Sequence, residues 1–142
     1  MRSFEESRTI HCPAENMFAV VMDIEAYPGF LPWVADAKVL TRQNGELTAE
    51  LVADFAGSHH QFRTIDRYVA NKLVEIRLLD GPFRFLESIW TFEPAGEQGC
   101  NVHFSIEFEF RSMMLDLVAS PIFSSACKSM VQAFEKRAMA LP

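Results

Sequence analysis

The amino-acid sequence predicts an α+β fold in which a curved antiparallel sheet wraps around a long C-terminal helix. The middle of the chain alternates apolar and polar residues in short runs, as half-buried strands do, and turn signals such as Asn44-Gly45 separate these runs. In residues 112–139, apolar side chains recur instead every three or four positions, which is typical of one face of a helix. A sheet that curls around a single helix leaves space between the two layers, so we expect a hydrophobic cavity there.

The N-terminal part of the chain predicts a strand, a helix and an unusual connecting segment. Residues 3–11 are expected to be extended, and Cys12-Pro13 to open a helix, because proline fits the first helical turn. Residues 27–33 combine two prolines and a glycine with four large apolar side chains. We expect a tight turn or short helix that plugs one end of the core. The segment could be a plug alone or a plug that is also a mobile, partly exposed lip, and we favour the second interpretation.

The next strands should form an antiparallel meander, at residues 38–43, 47–55, 61–70, 73–79, 83–93 and 102–110. The last of these has a wholly apolar inward face, made by Val102, Phe104, Ile106, Phe108 and Phe110. In the second, Ala49 and Ala53 face inward between larger residues, and their small size would enlarge the cavity.

The C-terminal helix is expected to bend near its middle. Its main apolar stripe consists of Phe123, Cys127, Met130, Phe134 and Ala138, and an upstream stripe consists of Met113, Met114, Leu117 and Val118. A five-residue step separates the two stripes. Serine is a preferred N-cap and proline a preferred first helical residue, so we expect the bend at Ser120-Pro121.

Length and composition limit the possible classes of protein. A chain of 142 residues is expected to form one domain, residues 1–142, with enough apolar residues (49%) for a single core. The net charge of −6 argues against broad contact with nucleic-acid phosphates. The three cysteines are scattered, which favours a reducing compartment. No apolar run reaches the length of a membrane span, and the first residues lack a signal-peptide core, so we expect a soluble, cytoplasmic protein.

The sequence contains no convincing catalytic or metal-binding motif. His59-His60 should lie at a turn, and His103, Glu107 and Glu109 share the strand face that points away from the core. We therefore expect no metal, no cofactor and no catalytic residue. The arginines of successive strands, Arg63, Arg67, Arg77 and Arg84, could form a basic patch for lipid headgroups or ribosomal RNA. The more ordinary interpretation is that they pair with neighbours such as Asp66 and Glu75.

Several short motifs together resemble a known family. They are Tyr27-Pro28 with Phe30-Leu31-Pro32-Trp33, Gly81-Pro82-Phe83 with Leu86, Trp90 and Phe92, residues 100–110, and Met130-Val131 with Ala133-Phe134 and Arg137. With these motifs the chain resembles the coenzyme Q-binding proteins of the START-like polyketide cyclase and lipid-transport superfamily, over nearly its whole length. It departs from them at Val34, where that family commonly has a cysteine. The resemblance extends to the ribosome association toxins, which are similar in length and motifs.

The resemblance implies a helix-grip fold and a hydrophobic tunnel for the isoprenoid tail of a polyprenyl quinone such as ubiquinone. The expected role is a non-enzymatic carrier or chaperone that supports respiration, with transient contact at the inner face of the inner membrane. The alternatives are a toxin that blocks association of ribosomal subunits and a small cyclase-type enzyme. We expect the ligand to contact Tyr27, Phe30, Leu31, Trp33, Trp90, Phe104, Phe108, Leu117, Val118, Pro121 and Val131, with residues 27–33 as the gate of the cavity and Pro121 as a facing hinge.

Overall fold

A computed structural model describes residues 1–141, which form one seven-stranded antiparallel sheet and the helices that pack on it. The sheet order is β1-β7-β6-β5-β4-β3-β2, so every neighbour except β7 and β1 is also a neighbour in sequence. The strands are β1 (Arg2–Ile10), β2 (Val34–Gln43), β3 (Glu46–Phe55), β4 (Ser58–Val69), β5 (Leu73–Asp80), β6 (Phe83–Ala95) and β7 (Gly99–Phe110). The helices are α1 (Ala14–Met22), α2 (Met113–Lys128) and α3 (Met130–Ala140), with a 3-10 helix at Ile24–Gly29.

The predicted meander is confirmed, and most strands extend a few residues beyond their predicted ends. The Asn44-Gly45 turn joins β2 to β3, and Gly45 has the positive φ that this turn needs (81°). On β7, Val102, Phe104, Ile106, Phe108 and Phe110 are all buried, as their alternation predicts. Alternation therefore predicted correctly which face of β7 covers the core.

The connection between α1 and β2 is a short helix followed by a turn, as expected for residues 27–33. The 3-10 helix contains Pro28, and backbone amides of Phe30 and Leu31 donate to the carbonyl of Tyr27, at 3.1 and 2.8 Å. The segment then reaches Trp33 one residue before β2 begins. Its apolar side chains are thereby brought against the C-terminal helices.

The expectation that Ser120 caps a helix beginning at Pro121 is wrong: α2 runs through Pro121 without interruption, and the helical break lies at Ser129. A bend of α2 at Pro121 stays a prediction. Ser112, not Ser120, is the N-cap of α2, and its side chain accepts a hydrogen bond from the amide of Leu115 at 3.1 Å. The hydroxyl of Ser129 donates to the carbonyls of Ser125 and Ala126, at 3.2 and 3.3 Å. Such bonds share the carbonyl acceptors of the helix and favour a local distortion, while the amide of Ser129 still donates to the carbonyl of Ser125 at 3.3 Å.

The apparent step in the apolar period has a simple cause. The buried stripe of α2 consists of Ala119, Ser120, Phe123 and Cys127, which follow the helical period without a gap. Pro121 lies on the exposed side of the helix and does not interrupt the stripe. Val118 is not part of it. Because Val118 is 48% exposed and lies outside the buried stripe, the period of the stripe itself is unbroken.

Phe123 joins α2 to the sheet at the centre of an aromatic cluster. Its ring centroid lies 4.8 Å from that of Phe108, 5.5 Å from Phe83 and 6.1 Å from Phe55. The indole of Trp33 completes the cluster, with its centroid 5.2 Å from that of Phe123. Phe123 is only 2% exposed, so its ring contributes a large buried contact between α2 and the sheet.

Candidate functional site

An interior cavity lies between the concave face of the sheet and the C-terminal helices. Its volume is about 80 Å³. Side chains from almost every layer of the fold form its wall: Ile24, Tyr27, Leu31, Trp33, Leu51, Phe62, Thr64, Asp66, Ile76, Leu86, Ser88, Trp90, Phe104, Ile106, Phe123, Met130 and Phe134. Most of these side chains are apolar, so the cavity suits an apolar ligand.

Five of the residues expected to contact a ligand lie in this wall, namely Tyr27, Leu31, Trp33, Trp90 and Phe104. Tyr27 and Leu31 are buried, and the indole of Trp33 is half-buried. The Trp90 ring packs against Phe104, with 4.6 Å between centroids. The structure thus brings residues from the 3-10 segment, β6 and β7 to one site.

Three further expected residues are near the wall but not in it. Phe30 packs edge-on against Tyr27 and Phe134, with its ring centroid 5.9 and 5.2 Å from theirs. Phe108 and Val131 are fully buried in the core. Their role in ligand contact stays a prediction.

Leu117 and Val118 do not face the cavity, and the expectation that they point inward is wrong. The side chains are 78% and 48% exposed, on the solvent side of α2. Leu117 and Pro121 instead border a shallow depression on the outer surface. With Met113 and Met114, which are 87% and 78% exposed, Leu117 and Val118 form an outer apolar face of α2.

One side of the cavity is closed by contacts between residues 27–33 and the C-terminal helices. Trp33 meets Phe123 of α2, and Tyr27 meets Phe134 of α3, with 5.4 Å between the ring centroids of the second pair. These contacts are between aromatic rings, so packing rather than hydrogen bonding holds this side together. Ser129, the residue between α2 and α3, lies between Phe123 and Phe134 in the sequence.

The cavity also contains polar side chains that the sequence analysis did not assign to it. Asp66, Thr64 and Ser88 lie in its wall and are at most 5% exposed. The hydroxyl of Thr64 donates to a carboxylate oxygen of Asp66 at 2.8 Å, and the hydroxyl of Ser88 has no hydrogen-bond partner within residues 1–141. The signal was present in the sequence, since Phe62, Thr64, Asp66 and Tyr68 alternate along β4 and an inward Phe62 places Asp66 inward as well.

Burial controls the protonation of the polar residues at this site. Desolvation raises the pKa of Asp66 from 3.8 to about 6, and the hydrogen bond from Thr64 opposes this shift only partly. Desolvation also raises the pKa of Tyr27, whose hydroxyl donates to the carbonyl of Val21. The expected surface pairing of Asp66 with an arginine is therefore wrong, because Asp66 points into the protein.

The surface arginines pair with glutamates instead. Arg63 lies 3.1 Å from Glu50, and Arg67 lies 3.0 Å from Glu46. Glu75 does pair with one of these arginines, Arg77, at 3.1 Å. These exposed pairs reduce the positive charge that the sheet offers to a partner.

The fold and the cavity together define a helix-grip, START-like protein: a curved antiparallel sheet closed by C-terminal helices around an apolar space. Residues 10–135 match the family model described as polyketide cyclase / dehydrase and lipid transport. The chain belongs to this family. No helix within residues 1–141 is long and apolar enough to cross a bilayer.

Comparison with individual proteins gives relatives of two kinds. The chain is 34% identical to the ribosome association toxin RatA of Escherichia coli (strain K12) over 134 residues, which cover 93% of this chain and 85% of the toxin. It is also 34% identical over 146 residues to the mitochondrial coenzyme Q-binding protein COQ10 homolog B of Xenopus laevis, covering 95% of this chain and 57% of that protein. The structure of a START superfamily protein from Mycobacterium smegmatis superposes with a TM-score of 0.79, at 21% identity and 99% coverage of both chains.

Proposed function

We propose that this protein binds a polyprenyl quinone such as ubiquinone and acts as its carrier or chaperone, without catalysing a reaction on it. The observation that carries the proposal is the apolar cavity beneath Trp33 and Phe123. Burying an isoprenoid tail is strongly favourable, because each buried CH₂ group contributes about 0.8 kcal/mol. The similarity to a coenzyme Q-binding protein supports the choice of quinone as the ligand.

A quinone requires the cavity to open. Its volume of about 80 Å³ is well below the roughly 300–1,000 Å³ of pockets that enclose whole ligands. In the proposed opening, residues 27–33 separate from Phe123 and Phe134, and the break at Ser129 lets α2 and α3 move relative to each other. Ser129 is the proposed hinge, in place of the expected hinge at Pro121.

The proposed carrier works at the cytoplasmic face of a membrane, since an isoprenoid tail crosses water only at a large free-energy cost. The outer apolar face of α2 is available for such contact, as its four side chains Met113, Met114, Leu117 and Val118 are exposed. Leu117 lies six residues before Phe123, or about 9 Å along the helix. A bilayer at this face would thus be near the proposed opening.

Mass spectrometry of the organic extract from purified protein tests the ligand directly. The wild type should carry a prenyl quinone, or acquire one from quinone-loaded vesicles. Ile76→Trp, which places a large ring in the cavity wall, should carry much less. Val69→Trp is the matched control, because Val69 is 49% exposed on the neighbouring strand. Wild-type protein that carries no quinone from either source would contradict the proposal.

Trp33 fluorescence tests the gate. In a Trp90→Phe background, Trp33 is the remaining tryptophan, and its half-buried indole should change its emission when vesicles containing quinone are added. Vesicles without quinone are the control: a change that they also cause reports contact with the membrane, and a change that requires quinone reports entry of the ligand. If neither kind of vesicle changes the Trp33 emission, residues 27–33 are not the gate. The proposal that the cavity binds the ligand would be unaffected.

A second candidate function, inhibition of ribosomal subunit association, is favoured by the similarity to RatA over 93% of the chain. It would use the outer surface and would require no ligand. The pairing of the sheet arginines with glutamates offers little free positive charge for rRNA phosphates on that face. Co-sedimentation of ligand-free protein with ribosomal subunits would support this function.

A third function, a small cyclase-type enzyme, would be supported if the protein converted an extracted ligand into a product.

A further inference from the structure

The inward face of the sheet carries a transverse row of residues that is polar at both ends. Asp66 on β4 is paired with Ile76 on β5, and Ile76 is paired with Ser88 on β6. Neighbouring strands lie about 4.8 Å apart, so the backbones of Asp66 and Ser88 are about 10 Å apart, on either side of Ile76. All three side chains line the cavity.

Both ends of this row have unused hydrogen-bonding capacity. Asp66 is 4% exposed, and its side chain receives one hydrogen bond, from Thr64. An ionised carboxylate can accept about four. Ser88 is 5% exposed, and its hydroxyl has no partner within the described residues. Buried polar groups are normally satisfied, so this arrangement is costly to the protein without a ligand.

Apolar rings surround the row and would hold a flat ligand against it. Trp90 follows Ser88 on the same face of β6, and its ring lies 4.9 Å from that of Phe134 on α3, centroid to centroid. Ile76 forms the floor between the two polar ends. The wall therefore offers apolar contact to the faces of a ring and polar contact to groups at its edges.

We propose that Asp66, Thr64 and Ser88 form the head-group site of the cavity, and that this site selects a ring with hydroxyl groups, a phenol or hydroquinone, over the corresponding quinone. The inference rests on the proposed function, because it assumes that the cavity holds the head group of a prenylated ring. Asp66 accepts a hydrogen bond from one hydroxyl of the ring, and Ser88 meets the oxygen on the other side.

Selectivity follows from the chemistry of the acceptor. A hydroquinone hydroxyl can donate to the Asp66 carboxylate, and hydrogen bonds to charged groups are among the stronger ones in proteins. A quinone carbonyl has only lone pairs and would face a carboxylate that also has only lone pairs. Sites that hydrogen-bond a ligand hydroxyl reject analogues that lack it far more strongly than apolar pockets reject a missing methylene.

The test compares three probes with the same short prenyl tail: a substituted hydroquinone, its quinone and its dimethyl ether. Binding is measured by isothermal titration calorimetry under argon at neutral pH. We expect the wild type to bind the hydroquinone at least about tenfold more tightly than either other probe, because only the hydroquinone can donate. Equal affinity of the wild type for the hydroquinone and its dimethyl ether would overturn the inference without any variant.

Variants assign the effect to residues. Asp66→Asn should reduce the preference for the hydroquinone severalfold while the quinone still binds. Ser88→Ala should weaken binding of both the hydroquinone and the quinone and change the preference little, because a serine hydroxyl can accept from a hydroxyl or donate to a carbonyl. Ser120→Ala is the matched control, since Ser120 is also buried, has no hydrogen-bond partner for its hydroxyl among residues 1–141, and lies outside the cavity wall. An unchanged preference in Asp66→Asn overturns the head-group site and leaves quinone binding intact. A wild type that binds none of the probes overturns both proposals.

Discussion

Replacing Asp66 with asparagine should stabilise the folded protein at neutral pH. The carboxyl group is 4% exposed and has one hydrogen bond, so ionising it inside the protein is unfavourable. Desolvation raises its pKa from 3.8 to about 6. Because one pKa unit corresponds to about 1.4 kcal/mol, the ionised carboxylate costs the folded state about 3 kcal/mol.

The direction of the pH dependence follows from proton binding. Between about pH 4 and about pH 6 the folded protein keeps a proton on Asp66 that the unfolded chain has lost. The contribution of Asp66 to stability is therefore fully present below the unfolded pKa near 3.8, and it is lost as the pH rises through about 6. An asparagine side chain cannot ionise, so the Asp66→Asn variant lacks this loss.

Urea denaturation followed by circular dichroism measures the free energy of unfolding of both proteins. We expect Asp66→Asn to be more stable than the wild type by about 1–3 kcal/mol near pH 7.5, since the buried amide has its own desolvation cost. Near pH 4 the difference should largely disappear. Asp80→Asn is the control, because the Asp80 side chain is 60% exposed. A variant that is less stable near neutral pH, or a difference that does not change with pH, would refute the assignment of Asp66 as an inadequately solvated carboxylate.

Other perturbations test the packing around the cavity. Phe123→Ala should lower the free energy of unfolding by about 3–5 kcal/mol in urea titrations, because it empties the centre of the aromatic cluster. Gly81→Ala should also destabilise, since φ is +146° and a Cβ would lie 2.4 Å from that of Phe62; a melting temperature equal to wild type would contradict this contact. Cys100 and Cys127 should resist a thiol reagent at mildly alkaline pH until the protein is unfolded, because burial raises their pKa values to about 11 and about 12.

Residues with an unambiguous local pattern predicted their environment well. Strict alternation placed Phe104 and Phe108 on the buried face of β7, and Asn44-Gly45 marked the turn between β2 and β3. The aromatic residues Tyr27 and Trp33 lie in the cavity wall, and their contact with a ligand stays a prediction. In each case the period of the backbone or the chemistry of a turn restricts the structure within a few residues.

Residues whose environment depends on distant parts of the chain were predicted less well. Leu117 belongs to an apolar stripe of α2, yet this stripe is exposed, with Leu117 itself 78% exposed. Ser120 and Ala119 occupy the buried side instead. Hydrophobicity alone could not reveal this, since the side of a helix that is covered depends on where the rest of the fold packs.

The sequence by itself determined the alternating strands, their order in the meander, and the apolar inward faces that require a covering helix. Only the tertiary structure decided that Asp66 and Ser88 lie at opposite ends of one row across Ile76, because strand register joins residues far apart in the chain. It also decided that Asp66 lacks a cationic partner among the described residues, since the arginines of its strand point to the other face and pair with Glu50 and Glu46. Local periodicity gives the face on which a side chain lies, whereas its solvation and its partners depend on every layer packed around it.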